Sequence, residues 1–509
     1  MAKPNQESID IHIRTYRSAL RSSNEISLET LTPTYLNINP LIHLKARSKN
    51  EIDLEALFYA FNRFPKEILL TKKIIIGQTK SLFEDHGFDL STWKKISAPK
   101  RRRRYFFDNK TKTLACFSAS ISDVDDIVNL ALAFQIELNK AFVMKESKEL
   151  GKDVEEKIKL SFPLPKNEKS LKIRLLAGTW VNFAKTTQSW WKTIIRKSKN
   201  SFNLIEKPLI FVSSNNHSLI NTLDNFCLEN KRKILKLLKK DYPRVNEEIK
   251  SLKEPFNIYY SSQFVFQKHP ELWEEKLKKE RALGILRIKP QTDLPLETQL
   301  IPGKILGKKF KNLTILNVEY PLGFSAFHLL EEILENVQEV VGVYILGKAA
   351  ALNTQTGDIL IPKIIFDEHT ENTYMIKNSF NNNFPFQMAK GSVLDNQKLV
   401  SVLGTILENK DLLDAYSKKE FNIVEMEAGP YLGAITQASY AESVPQKTIV
   451  DLHQLPFDLG LVYYSSDSPY ILSKTLGEFL GPVGIEATYL ASMAIIDRIK
   501  KIFQTKEPA

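Results

Sequence analysis

The chain has 509 residues, 43% of them apolar, 26% charged and 10% aromatic, with a formal net charge of +12. This composition excludes a disordered, collagen-like or coiled-coil chain, and the length predicts two or three domains. Two cysteines, Cys116 and Cys227, are too few for a disulfide framework or a structural zinc site, so no metal is expected. No run reaches the roughly 18–20 uninterrupted apolar residues of a membrane helix, and the opening MAKPNQESIDIHIR lacks the apolar segment of a secretory signal. A cytoplasmic protein without a membrane partner is the expectation.

The charge is divided unevenly. Residues 281–509 hold 21 Lys+Arg against 26 Asp+Glu, a balance of −5, so residues 1–280 hold the other 50 against 33, or +17. Glycine is divided too: only Gly77, Gly87, Gly151 and Gly178 precede residue 281, and the other 15 of 19 follow it. Two different units share the chain, the later one rich in the turns that glycine permits.

In chain order, 53–64 (DLEALFYAFNRF) and 123–142 (DVDDIVNLALAFQIELNKAF) repeat apolar residues every three or four positions, which predicts packing helices, the second capped by Ser122. Between them, 104–108 and 113–120 flank the turn-like Asp108-Asn109-Lys110 and predict a hairpin. A helix over 178–196 carries Trp180, Phe183, Thr187, Trp190 and Trp191 on or near one face. Lys207-Pro208 opens a strand at 209–212 that runs into SSNNHS, a helical pattern from Leu219 and a lysine-rich helix around 230–240. From Ala282, strands at 283–288, 313–318, 340–346, 358–361, 423–426 and 461–464 alternate with helices, the last over 482–503. The fold class is therefore α/β: a mixed sheet flanked by helices over 281–509, its ligand site beyond the strands' carboxyl ends. It follows a mainly helical basic domain over 1–205 and a small α/β or linking segment over 206–280.

Three strand ends gather polar groups: Gly347-Lys348-Ala349-Ala350, Glu425-Met426-Glu427-Ala428 and Ser465-Ser466-Asp467. Taken singly, a glutamate at a strand end is more often a solvated edge, and an SSD tripeptide a turn or a helix cap. In this order and spacing, and above all in VEMEAGPYLGAI at 424–435, residues 281–503 resemble the nucleoside phosphorylase and nucleosidase superfamily, nearest to methylthioadenosine/S-adenosylhomocysteine nucleosidases and AMP nucleosidases. The resemblance implies a nucleoside phosphorylase-like fold, cleavage of the N-glycosidic bond of a purine nucleoside or nucleotide, and often a homo-oligomer. It implies that Glu427 accepts hydrogen bonds from the ribose hydroxyls while Met426 packs against the sugar. It also makes Asp467 the acid that protonates the leaving purine, with Ser466 orienting it. Glu425 lies deeper in its strand and shares the side of Glu427 only if that strand is regular.

Two features depart from the superfamily. Its nucleosidases place a water-activating glutamate just after the first strand, where this chain reads Arg287-Ile288-Lys289-Pro290-Gln291. With Lys348 replacing a small hydroxyl residue in the glycine turn at Gly347, the cations Arg287, Lys289 and Lys348 are expected to converge on an anion. Orthophosphate as co-substrate or a nucleotide 5′-phosphate fits, with no other cofactor. A helix over 398–407 is expected to lead almost directly into 421–423, which removes the strand and loop that carry base-stacking aromatics. His369, Tyr374, Phe380, Phe384 and Phe386 are the candidate replacements. The missing glutamate also motivates a second reading, a catalytically inactive nucleotide sensor whose basic N-terminal half carries a partner surface. The run Lys100-Arg101-Arg102-Arg103-Arg104 makes nucleic acid a third and weaker reading, because no recognition motif accompanies it.

Overall fold

The computed structural model describes residues 6–503 apart from 165, 182, 292–293, 382–384, 441–442 and 468–480. The N-terminal half is organised around the helix Ile121–Glu146, whose Val124, Ile127, Val128, Ala131, Phe134 and Leu138 are all buried. By length and composition this helix is apolar enough to cross a membrane, yet most of it lies inside the N-terminal core. Its polar residues are satisfied within that core. Asp125 accepts from Tyr16 Oη at 2.7 Å, and Glu137 accepts from the Asp53 amide at 2.6 Å and sits 2.7 Å from His43 Nε2.

The helices of this half pack around a six-stranded sheet of β1 (Ile26–Ser27), β2 (Lys73–Gly77), β3 (Lys94–Ala98), β4 (Arg101–Asp108), β5 (Thr113–Phe117) and β6 (Lys172–Leu175), ordered β1-β6-β2-β5-β4-β3. The hairpin expected around residue 109 is the antiparallel pair β4–β5. Strand periodicity disposes of most of the basic run. Arg101 and Arg103 share a face with the buried Tyr105 and Phe107, and they pair with Asp126 at 2.8 Å and Asp123 at 2.7 Å at the start of the long helix. On the other face, Arg102 reaches into the second half, to Glu319 at 2.6 Å and the Tyr320 carbonyl at 2.8 Å.

The second half is built on eleven strands: β7 (Leu209–Ser214), β8 (Leu286–Ile288), β9 (Thr298–Pro302), β10 (Thr314–Glu319), β11 (Val340–Ala351), β12 (Ile359–Asp367), β13 (Thr373–Ile376), β14 (Val393–Ser401), β15 (Phe421–Glu425), β16 (Ile449–Leu452) and β17 (Asp458–Asp467). Their order is β16-β13-β12-β14-β15-β11-β7-β10-β9-β8, and β17 bridges β11 to β12. The pairings β11–β17, β17–β12, β12–β14, β14–β15 and β15–β11 close a ring of five strands, parallel except for β17–β12 and β15–β11. Alternate residues face opposite layers. Leu209 and Phe211 meet the helices Ser325–Asn336 and Ala428–Ser439, whereas Ile210 and Val212 meet Phe256–Lys268 and Gly481–Ile502. This is the mixed sheet flanked by helices that the alternating pattern predicts.

Two expectations are corrected here. The stretch 206–280 is not a separate unit: its strand β7 lies between β11 and β10, parallel to both, in the middle of the large sheet. The run LIFVSS is buried at every position, as a strand covered on both faces must be, and such a strand only makes sense inside a larger sheet. The stretch 398–407 is not a helix either. Residues 398–401 end β14, which runs parallel to β12 and β15, and the helix that precedes β15 is Lys410–Lys418.

Candidate functional site

The polar strand ends meet at β11. Val424 of β15 and Asp467 of β17 both register with Ala350, one on each side, so these two positions stand two strand spacings apart, roughly 10 Å, and Glu427 follows three residues after Val424. Register on β17 shifts at Ser466, which is the extra residue of a bulge. The Ser466 hydroxyl is buried and donates to the Ala349 carbonyl at 3.1 Å. The side chain of Asp467 lies outside the described residues, as does Phe384.

The two glutamates divide their tasks by position. Glu425 ends β15 and Glu427 opens the helix Ala428–Ser439. Glu425 Oε2 accepts from the amides of Glu427 and Ala428, both at 2.8 Å, and so satisfies donors at the helix start. Tyr463 Oη also reaches this oxygen, at 3.3 Å, while Oε1 is buried with no partner among the described residues. Burial and the neighbouring charge of Glu427 push the Glu425 carboxyl up to about 8, which keeps it protonated at neutral pH.

Glu427 is half-buried, and its Oε1 accepts from the Gly323 amide at 2.9 Å. Burial raises its pKa, while the Gly323 amide, Lys348 and His369 favour the carboxylate. Gly323 has a φ of 51° and stands in a turn held by the N-terminal half: the Phe324 amide donates to Ser122 Oγ at 2.9 Å. Both halves of the chain therefore shape the surroundings of Glu427. His369 is oriented by the buried Asp367, which accepts from its backbone amide at 3.1 Å and lies 3.0 Å from Nδ1. Gly429 makes room for that carboxylate, since a Cβ there would lie 2.4 Å from Asp367 Oδ1. The ring of His369 lies 5.2 Å from that of Phe324, which stacks on Phe327 at 5.1 Å, so an aromatic wall stands next to Gly323.

A stability test follows from the protonated Glu425. Between about pH 4.5 and pH 8 the unfolded chain releases the Glu425 proton while the folded chain keeps it, so this group makes stability fall as pH rises across that window. Glu425→Gln is expected to remove that slope and to match the wild type below pH 5. Denaturant melts at pH 5, 7 and 8.5 that keep the wild-type slope in the variant would refute the assignment.

Several expected site residues lie elsewhere. Arg287 is on β8, four strands from β11, roughly 19 Å across the sheet. Its guanidinium is taken up by Glu280 at 2.5 Å, Glu297 at 2.5 Å and the Asn216 carbonyl at 3.2 Å. Lys289 is exposed on the rim of a cleft beside the helix Phe183–Ser198. Arg287, Lys289 and Lys348 therefore do not converge, and of the three only Lys348, exposed on β11, acts on Glu427. Gly347 is a glycine for packing, because a Cβ there would lie 2.6 Å from the Tyr463 ring. Met426 packs against the core of the N-terminal half, with Thr405 Oγ1 3.9 Å from its sulfur. Tyr374, Phe380 and Phe386 are buried core residues, so among the described residues His369 is the one proposed replacement placed at the site.

The first strand of the large sheet in chain order is β7, and the residues just after it are Asn215, Asn216 and His217, again without a carboxylate. Burial, with Arg287 and Lys276 nearby, pushes the His217 imidazole down to about 4, so it is neutral at pH 7. Sequence reasoning missed Asp367, Phe324 and Phe327. The polar triplet Asp367-Glu368-His369 at a strand end was the available signal for the first of these.

The molecule is thus an α/β protein in which two sheet-containing halves share the surroundings of one acidic strand end. A family model described as a family of unknown function, DUF6909, matches residues 28–165 and 155–501, and the chain belongs to that family. No curated protein matches it. Among solved structures it is similar to a putative methylthioadenosine nucleosidase from Weissella paramesenteroides, at 12% identity over 57% of this chain and 99% of that one, with a TM-score of 0.32. It is similar also to purine nucleoside phosphorylase from Toxoplasma gondii, at 11% identity over 59% and 93% with a TM-score of 0.31. Uridine phosphorylase from Schistosoma mansoni gives 12% identity over 60% and 89% with a TM-score of 0.32.

Proposed function

We propose that this protein cleaves the N-glycosidic bond of a purine nucleoside or nucleotide in the cytoplasm. One observation carries the reading: β15, which leads into Glu427, and β17, which ends at Asp467, flank the same strand, with Val424 and Asp467 both opposite Ala350. Breaking a ribosyl bond builds positive charge on the sugar, and the Glu427 carboxylate beside the ribose hydroxyls would stabilise it. Glu425, held neutral, leaves Glu427 as the charged member of the pair. Asp467 would protonate the departing base, and the wall of Phe324 and His369 is the surface on which a base would stack. Phosphate enters only as a co-substrate; with Arg287 engaged elsewhere, Lys348 is the cation this reading assigns to it.

The test incubates the full chain with adenosine, AMP and methylthioadenosine, with and without phosphate, and measures free base. Base release that is lost in Asp467→Asn is expected, and no release from any of the three would refute the proposal. The absence of a carboxylate after β7 favours a second reading, a nucleotide sensor that binds without turnover. Ligand-dependent thermal stabilisation without base release would select it.

A further inference from the structure

The arginines of β4 are largely spent on ion pairs, and a basic surface lies on the neighbouring helix Phe183–Ser198. Three clefts of about 490, 390 and 490 Å³ adjoin one another there, the first two sharing Arg104 and Leu294, the last two sharing Ser189, Thr193 and Arg196. Along the second and third stand Arg104, Lys185, Lys192, Arg196, Lys197 and Lys289, contributed by β4, the helix and the segment after β8, and among the described residues neither cleft is lined by a carboxylate. Among the described residues the first cleft has one acid, Asp123, which is engaged by Arg103. Among the described residues, Lys185, Arg196, Lys197 and Lys289 make no ion pair, and all four are exposed. Gln291 donates to the Trp190 carbonyl at 3.2 Å and ties the segment after β8 to the helix. Donors other than the cations line it as well: Ser189, Thr193 and Thr186, whose buried hydroxyl has no partner among the described residues.

We propose that this groove binds a single strand of nucleic acid through its phosphodiester backbone. Lys185 to Lys197 spans twelve helical positions, about 18 Å, which matches several phosphates of one strand rather than one compact anion. A recessed groove admits one strand, whereas a duplex rides on ridges. Trp190 and Trp191 of the same helix are turned into the core, at 1% and 3% exposure, so the helix offers no stacking platform and the contacts are sequence-tolerant.

The test is fluorescence anisotropy of the full chain with labelled twelve-nucleotide oligo-U and oligo-dT. Both are expected to bind at 50 mM salt. Four phosphate contacts imply a log–log salt slope of about −3, so affinity falls roughly 50-fold between 50 and 200 mM. The triple variant Lys185→Glu/Arg196→Glu/Lys289→Glu changes only exposed residues and is expected to bind at least tenfold more weakly with a shallower slope. Lys236→Glu/Lys239→Glu/Lys240→Glu, the same charge change on the exposed face of the helix Lys231–Asp241, is expected to stay within twofold of the wild type. No binding at 50 mM salt, an equal loss in both triple variants, or displacement of the oligonucleotide by stoichiometric tripolyphosphate would each overturn the proposal.

Discussion

Replacing Glu427 by glutamine is expected to lower kcat/KM for base release at least 100-fold, about 2.7 kcal/mol of transition-state stabilisation, without loss of stability. The amide oxygen can still accept from the Gly323 amide, so the turn that links the two halves keeps its bond to this position. What disappears is the charge, and charge matters most when the sugar becomes cationic. The same change removes the Coulombic pressure on Glu425, whose carboxyl should then move down from about 8 toward the ordinary range. Steady-state rates and a thermal melt on the same preparation check this. A variant within threefold of the wild type in base release would mean that Glu427 does not act on the sugar.

The second large effect concerns stability. Lys276→Met is expected to destabilise the second half by about 3–5 kcal/mol, read as a lower denaturant midpoint. Lys276 is 1% exposed and pairs with Asp224 and, at 2.7 Å, with Glu280. Arg287 extends the cluster through Glu280 to Glu297. The five groups carry a net charge of −1, and removing the ammonium leaves −2 with Asp224 buried and uncompensated. Adding Asp224→Asn should recover a large part of the loss, because the orphaned charge is the main cost. A single variant as stable as the wild type would show that the cluster is not held by Lys276.

The same cluster explains why the expected anion site failed. Arg287 and Lys289 read as a cationic pair because the eye sees them two residues apart, yet the carboxylates that neutralise Arg287 sit at Glu280, on a preceding helix, and at Glu297, on the approach to β9. A charge run is ambiguous in the same way. The pattern 101–104 with Tyr105 and Phe107 is a strand with an inward basic face, and only the long helix, delivering Asp123 and Asp126, shows that the charge is structural. By contrast, the motif at 424–435 was legible because its roles are local. Glu425 and Glu427 are set by the end of a strand and the start of a helix, three residues that fold together whatever else is nearby.

Residue order alone determined the alternation of strand and helix, the helices of the N-terminal half, the hairpin at 109 and the acidic strand end, since each depends on neighbours within a dozen positions. Only the tertiary structure decided that β7 belongs at the centre of the large sheet, that Glu427 is held by a turn which Ser122 fixes from the other half, and which cations remain unspent. Those outcomes depend on pairings between residues one to two hundred positions apart, and no local period or spacing encodes which partner reaches a buried charge first.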